Sequence, residues 1–169
     1  MAILPIVTLP DPVLRQVSTP VGAIDADVKR LAAEMLETMY DAPGIGLAAV
    51  QVRVPKRIVV LDLAGDDEPK APMVLINPHI LSLGSQMRVY DEGCLSLPDT
   101  RLEIERPSTL RLAYVDLDGV NREIAADGLL ATAIQHETDH LDGKLIIDFM
   151  TSLKRDMVIR RYKKRARVG

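Results

Sequence analysis

The chain has 169 residues, a length typical of one domain, and we expect residues 1–169 to fold around a single core. Hydrophobic residues make up 47% and charged residues 27% of the sequence, and no apolar run approaches the roughly 20 residues of a membrane helix. The single cysteine excludes an intrachain disulfide. The N-terminus is broken by prolines and lacks the basic start of a secretory signal, so we expect a cytoplasmic protein.

The net charge of −3 is distributed unevenly along the chain. Residues 154–169 contain eight basic side chains against Asp156 alone, which gives this segment +7 and leaves −10 for the remainder. A basic terminal segment of this kind is usually the solvated end of a helix, and less often it contacts nucleic acid or another polyanion.

The first half of the chain predicts one helix followed by strands. Apolar residues at helical spacing from Val28 to Met39, with Asp25 or Asp27 as the cap, indicate a helix that stops at Asp41. Short strands are then predicted over 57–63, 73–77, 86–90, 101–105, 109–116 and 120–124. The last two flank Asp118-Gly119, a dipeptide typical of a tight hairpin turn.

Two further helices complete the predicted fold. Asp127 is placed to cap a helix over 128–141 that ends at Gly143, and a third helix is predicted over about 151–165 with Leu153 and Met157 facing inward. The order of elements is typical of the α+β class. We expect antiparallel β-sheets packed around the central helix, together with an N-terminal and a C-terminal helix.

The central helix carries the pattern His-Glu-Thr-Asp-His at residues 136–140. Side chains four residues apart on a helix lie about 5–6 Å apart at Cβ, so His136 and His140 can bind one metal ion. Glu137 lies one position further round, where it can reach a water on that metal. A catalytic site of this kind normally takes three protein ligands and keeps one position open.

The third ligand is not part of the same helix motif. The extension HExxHxxGxxH fails because Ile146 stands at the last position, and no glutamate follows His140. Asp142, Asp148 and Asp156 are weak candidates. Cys94, beside Gly93, is otherwise a small buried hydrophobe, but its thiolate would complete a Cys-His-His site.

A third pattern, Gly-Ile-Gly-Leu-Ala-Ala-Val-Gln at residues 44–51, matches the spelling of a dinucleotide-binding loop. Such a loop must follow a strand and open a helix, whereas this segment follows a helix and Pro43. Two interpretations of Gln51 remain open: its amide could donate to a developing oxyanion, or it could be a buried glutamine bonded to backbone.

The segments 44–51, Glu92-Gly-Cys-Leu-Ser96 and Gln135-His-Glu-Thr-Asp-His140 together resemble the three signature motifs of peptide deformylases, in order and with similar spacing. The resemblance covers nearly the whole chain, from residue 9 to the helix after Asp148. It implies an enzyme that removes the formyl group from the N-terminal formylmethionine of newly synthesised polypeptides and releases formate. Thr138, where a bulky apolar residue is usual, and Arg53, where glycine is common, depart from the family pattern.

The resemblance also implies the roles of individual residues. The metal ligands would be Cys94, His136 and His140. Water activated by the metal would attack the formyl carbon, with Glu137 as general base and then general acid. The oxyanion donors would be the Gln51 side chain and the Leu95 backbone N–H.

Substrate contacts would fall on two segments. Gly46, with Ile45 beside it, would bind the substrate backbone. Leu129 and Ala133 share a helix face with the two histidines, so with Thr132 they would form an apolar wall suited to a methionine side chain.

The resemblance extends to cofactor and partners. It implies one divalent ion per chain, Fe(II) in the cell, with Zn(II), Ni(II) or Co(II) as alternatives that ligand type does not separate. The partners would be N-formylmethionyl nascent peptides, and the basic terminal helix resembles the ribosome-contacting tail of some bacterial deformylases. No membrane or DNA partner is expected.

Three other functions remain as alternatives. The nearest is another HExxH-type metallopeptidase, which would cleave internal peptide bonds instead of releasing formate. In a non-enzymatic alternative, the metal is structural and the basic tail binds RNA. A dinucleotide-dependent enzyme is the most distant of the three.

Overall fold

The computed structural model describes residues 2–168. The first long helix begins where the sequence predicts it. Helix α1 (Ala26–Asp41) follows Asp25, whose carboxylate accepts a 3.0 Å hydrogen bond from the Val28 N–H. This N-cap satisfies one of the free amides of the first turn. The buried face of α1 includes Met35 and Met39, which pack against the sheet beneath the helix.

Seven strands form two antiparallel sheets among the described residues. They are β1 (Gly46–Ala48), β2 (Ile58–Leu61), β3 (Met73–Leu83), β4 (Met87–Cys94), β5 (Leu97–Pro107), β6 (Thr109–Val115) and β7 (Asn121–Asp127). The larger sheet has the order β1-β2-β3-β6-β7, and β4 and β5 form a separate hairpin. The turn at Asp118-Gly119 joins β6 to β7 as predicted, with Gly119 at φ 79°.

Strand β3 is longer than predicted because a bulge absorbs two residues that usually signal a turn. Asn77 adopts a left-handed φ of 51°, and Pro78 follows it, yet pairing with β6 resumes at His79. The Asn77 side chain accepts a hydrogen bond from the Val21 N–H and donates one to the Val21 carbonyl, both at 2.8 Å. These two bonds stabilise a backbone geometry that asparagine tolerates better than most residues.

Helix α2 (Gly128–Leu141) is the centre of the fold, and its bounds match the predicted helix. It packs against β1 and β7 of the larger sheet and against β5 of the hairpin. Gly143, two residues past the helix, has φ 76°, and a Cβ there would lie 2.5 Å from the Arg15 carbonyl oxygen. Only glycine fits both the conformation and the space. The predicted α+β architecture around a central helix is thus confirmed.

Helix α3 (Ser152–Val168) corrects one sequence prediction. Leu153 and Met157 do not face inward: they are 72% and 60% exposed. The inward face carries Tyr162, which is buried, with Val158 and Ile159 partly buried beside it. This face packs on a cluster that includes Leu97 and Ile104 of β5. The buried face of α3 is therefore not the one that the sequence predicts. No helix within residues 2–168 has the length and hydropathy needed to cross a bilayer.

Candidate metal centre and active site

Cys94, His136 and His140 converge from two elements onto one point. Cys94 ends β4 at the tip of the hairpin, just after a register shift at Gly93, and the two histidines come from successive turns of α2. One ligand atom from each residue lies within 4.8 Å of the other two. Cys94 Sγ lies 3.3 Å from His140 Nε2.

The chemistry of this cluster fits a divalent transition metal. A thiol and two imidazoles are the donors that Zn, Fe, Co and Ni prefer. Burial lowers the pKa of His140 well below its usual value, which keeps that ring neutral. Burial also opposes a charge on His136, but Glu137, Cys94 and Glu92 outweigh it and raise the pKa of His136. The surroundings therefore favour a positive charge at this position.

Glu92 orients the His136 ring by contacting its Nδ1 nitrogen. Its Oε1 lies 3.0 Å from His136 Nδ1, which leaves Nε2 for a metal. Arg106 donates two hydrogen bonds to Glu92, at 2.7 and 3.0 Å, and a third to Asp139 at 2.9 Å. Burial favours the neutral form of Glu92, but the His136 and Arg106 hydrogen bonds prevail and lower its pKa.

Glu137 is a buried carboxyl with one free oxygen. Burial raises the pKa of Glu137 to about 7, the range in which a carboxyl can both accept and release a proton. Its Oε1 has no hydrogen-bond partner among the described residues, and its Oε2 lies 4.0 Å from His136 Nε2. Gly46 packs directly against it: a Cβ there would lie 2.6 Å from Glu137 Oε2.

Gln51 lies in a buried 3-10 turn (Ala49–Val52) beside the cluster. Its Oε1 accepts a 2.9 Å hydrogen bond from the Ala48 N–H, so the orientation of the amide is fixed. Its Nε2 donates to Ser96 Oγ at 3.0 Å and lies 3.7 Å from Cys94 Sγ. The bond to backbone agrees with one interpretation of Gln51, and the other end of the amide lies beside Cys94, where its role as an oxyanion donor stays a prediction.

One cavity of about 570 Å³ contains the predicted site residues except His140, which lies behind it and is 1% exposed. Its walls include Ile45, Gly46, Gln51, Cys94, Leu95, Leu129, Thr132, Ala133, His136 and Glu137. The lining also includes Pro98, Thr100 and Arg101 at the start of β5. The fold therefore brings together residues that are up to 95 positions apart, from Ile45 to His140.

The two departures from the family pattern have local structural explanations. Thr138 donates from its hydroxyl to the Ile134 carbonyl at 2.8 Å, which lets a polar residue be buried in α2. Arg53 has a left-handed φ of 68°, a conformation that favours glycine, and its guanidinium contacts Asp11 at 2.5 Å. Neither side chain touches the metal cluster.

Sequence reasoning gave no role to Glu92, Arg106 or Asp139. Glu92 stands inside the Glu-Gly-Cys motif, two residues before a ligand, and this position was the available signal. Arg106 bonds to Glu92 across the β4–β5 hairpin, and Asp139 contacts Arg106 through the packing of α2. No local sequence pattern predicts the contacts of Arg106 with Glu92 and Asp139.

Comparison with known proteins agrees with this geometry. A family model described as polypeptide deformylase matches residues 3–156. The peptide deformylase of Rhizobium meliloti is 58% identical over 99% of this chain and 96% of its own length. The crystal structure of the Ehrlichia chaffeensis enzyme in complex with actinonin has a TM-score of 0.92 at 38% identity, covering 98% of both chains.

A third relative was solved with a peptide bound. The Met-Ala-Ser-bound peptide deformylase of Acinetobacter baumannii has a TM-score of 0.82 at 34% identity, covering 87% of this chain and 98% of its own. The similarity to these proteins extends through both sheets and the helix that carries the histidines. The chain therefore belongs to the polypeptide deformylase family.

Proposed function

We propose that this chain removes the N-formyl group from the formylmethionyl end of newly synthesised polypeptides and releases formate. The observation that carries the proposal is one cavity that a buried carboxyl, an oriented amide and two members of a Cys-His-His cluster line together. Residues 1–169 would form one catalytic domain, with 154–169 as its basic helical tail. The partners would be N-formylmethionyl nascent peptides in the cytoplasm.

Cys94, His136 and His140 would hold the metal. A divalent ion bound there polarises a carbonyl oxygen and lowers the pKa of a water molecule. We propose Fe(II) as the ion in the cell, with Zn(II), Ni(II) or Co(II) able to replace it. The mixed sulfur and nitrogen donors support this group of metals over Mg²⁺ or Ca²⁺, which prefer oxygen ligands.

Glu137 would transfer the proton during the reaction. It would take a proton from the attacking water and return it to the amine that leaves as the C–N bond of the formamide breaks. Its support is geometric: the carboxyl is buried, lines the cavity and keeps Oε1 without a partner among the described residues. Formate and a free N-terminal amine are the products of this balanced hydrolysis.

Gln51 and the Leu95 backbone N–H would stabilise the oxyanion that forms on the formyl oxygen. The Ala48 N–H fixes the amide oxygen of Gln51, so the NH2 group points toward the site without reorganising. Leu95 follows Cys94 directly and lines the same cavity. A donor that is already oriented stabilises developing charge more than a mobile one does.

Two cavity walls would hold the substrate. Ile45 and Gly46 would bind the peptide backbone, since β1 is an edge strand of its sheet and can pair with an extended chain. Leu129, Thr132 and Ala133 would receive the methionine side chain. They lie on α2 and line the cavity together with His136 and Glu137.

A direct comparison of two activities tests this function. The protein loaded with Fe(II) or Ni(II) is offered formyl-Met-Ala-Ser and an unformylated peptide with internal bonds. We expect formate from the first and no cleavage of the second. Internal cleavage without formate release would support the HExxH metallopeptidase instead.

The basic face of α3 supports a second, separate partner. Its exposed residues include Lys154, Arg160, Lys163 and Lys164, a charge pattern suited to a polyanion such as ribosomal RNA. We propose contact with the ribosome through this face. Binding should weaken with added salt and after charge reversal at Arg160 and Lys164, and binding unchanged by both would contradict the proposal.

A further inference from the structure

Three side chains of α3 converge on two adjacent residues of β5, Asp99 and Thr100. The Tyr162 hydroxyl accepts a 3.3 Å hydrogen bond from the Asp99 N–H and lies 3.1 Å from Thr100 Oγ1. Arg161 donates to the same Thr100 oxygen at 3.3 Å, and Arg165 pairs with the Asp99 carboxylate. The C-terminal helix is therefore attached to β5 at one place.

That place is the back of the substrate cavity. Pro98, Thr100 and Arg101 line the cavity, so Tyr162 contacts from behind the same wall that faces the substrate. On the cavity side, Arg101 is held by a 2.7 Å bond to Asp91. The segment 98–101 is thus fixed on one face by the hairpin and on the other by α3.

Tyr162 is the central one of the three contacts. The pair of Arg165 with Asp99 is half exposed on both sides, and exposed ion pairs contribute little. Tyr162 and Thr100 are 3% and 5% exposed. Removing the phenol oxygen would take a hydrogen-bond partner from the buried Thr100 hydroxyl, which costs more than losing a solvated contact.

The proposed function assigns no part of the substrate to the wall 98–101. In the proposed function, α2 takes the methionine side chain and β1 takes the backbone next to the formyl group. The start of β5 lines the same cavity and is placed to contact the peptide residues that follow methionine. A shift of this wall should change peptide affinity and leave the metal cluster intact.

We propose that Tyr162 is a positioning residue for substrate, because its hydroxyl fixes the wall Pro98–Arg101 against which the residues after formylmethionine bind. This inference rests on the proposed deformylation. It gives α3 a role in the reaction that is separate from its basic face.

The test compares a long and a short substrate with the full-length chain. For Tyr162→Phe, KM for formyl-Met-Ala-Ser should rise by about threefold to tenfold, the effect of one buried hydrogen bond. Its kcat, its bound metal and its KM for formylmethionine amide should stay at wild-type values. Tyr114→Phe, a half-buried tyrosine of β6 outside the cavity, is the matched control and should leave both KM values unchanged.

A second variant keeps the test valid if Tyr162→Phe fails to fold. Thr100→Val removes the partner of the same hydroxyl and should raise KM for the tripeptide. In the double variant KM should rise no further than in the more affected single variant. Additive effects, an unchanged tripeptide KM, or equal losses on both substrates would overturn the positioning role. A wild-type chain that releases no formate would overturn the proposed function itself.

Discussion

Glu92 Oε1 lies 3.0 Å from Nδ1 of His136, so a carboxylate outside the metal cluster fixes the ring of a ligand within it. Arg106 holds Glu92 in turn with two hydrogen bonds. Carboxylates in this position orient the imidazole and raise its basicity toward the metal. The ligand geometry therefore depends on three residues that do not bind the metal themselves: Glu92, Arg106 and Asp139.

Glu92→Gln should weaken metal binding by about tenfold to a hundredfold, the range typical of outer ligand partners. Glutamine keeps the shape but loses the charge that Arg106 and His136 share. Titration of the metal-free protein with Zn(II) or Ni(II) measures the effect. Glu103→Gln, an exposed residue of β5, is the control. Equal affinities for the two variants would show that Glu92 does not act on the ligand.

Gln51→Ala should lower kcat by about a hundredfold to a thousandfold, as expected for the loss of one oriented oxyanion donor. Metal content should not change, because Gln51 is not a ligand. Steady-state formate release at saturating metal measures kcat. Ser96→Ala is a graded control, since it removes only the 3.0 Å partner of the Gln51 amide and should cost less. Turnover that survives in Gln51→Ala with the fold intact would remove Gln51 from the mechanism.

Gly46→Ala should damage catalysis because there is no space for a methyl group. Its Cβ would lie 2.6 Å from Glu137 Oε2 and 2.9 Å from Leu61 Cδ2. Displacing the Glu137 carboxyl by a fraction of an ångström should reduce kcat by about tenfold to a hundredfold. Gly22→Ala is the matched control, since nothing lies within 4 Å of a Cβ at that glycine. Comparable kcat values in the two variants would contradict the close packing.

Asp62 predicts how stability depends on pH. The Tyr40 hydroxyl donates a 2.6 Å hydrogen bond to it, and this bond, against the effect of burial, lowers the pKa of Asp62. A carboxyl whose pKa is lower in the folded protein stabilises the fold. This contribution is fully present above the unfolded pKa of about 4, and it is lost as the pH falls through the folded pKa.

Asp62→Asn should therefore reduce the free energy of unfolding at neutral pH, and its difference from wild type should shrink as the pH falls below about 4. Urea unfolding at a series of pH values measures this difference. Asp66→Asn, in an exposed loop, serves as the reference. A difference that stays constant across the acid range would exclude the Tyr40–Asp62 bond as its cause.

Much of the site could be predicted from the sequence because its ligands lie in short motifs. The spacing of His136 and His140 placed both on one helix face, and the end signals at Asp127 and Gly143 gave helix bounds that match α2. Cys94 was named as third ligand by a shortage of alternatives and by family resemblance, and the structure brings its sulfur to 3.3 Å from His140.

The remainder depends on contacts between distant segments. Arg106 bonds to Glu92 across the β4–β5 hairpin, and Tyr162 contacts Thr100 across 62 positions. The orientation of α3 was predicted wrongly because Leu153 and Met157 are as apolar as the residues that do face inward. The predicted strand 73–77 is shorter than β3 because Asn77 and Pro78 resemble a turn when only the local sequence is considered.

In the proposed reaction, the metal and Glu137 act together in hydrolysis of the formyl group. The most direct measurement is formate release from formyl-Met-Ala-Ser by wild type and Glu137→Gln, each with its metal content determined. We expect release that depends on added Fe(II) or Ni(II), and a loss of about a hundredfold to ten-thousandfold in Glu137→Gln with metal retained. Metal-independent release, or full turnover by Glu137→Gln, would contradict it.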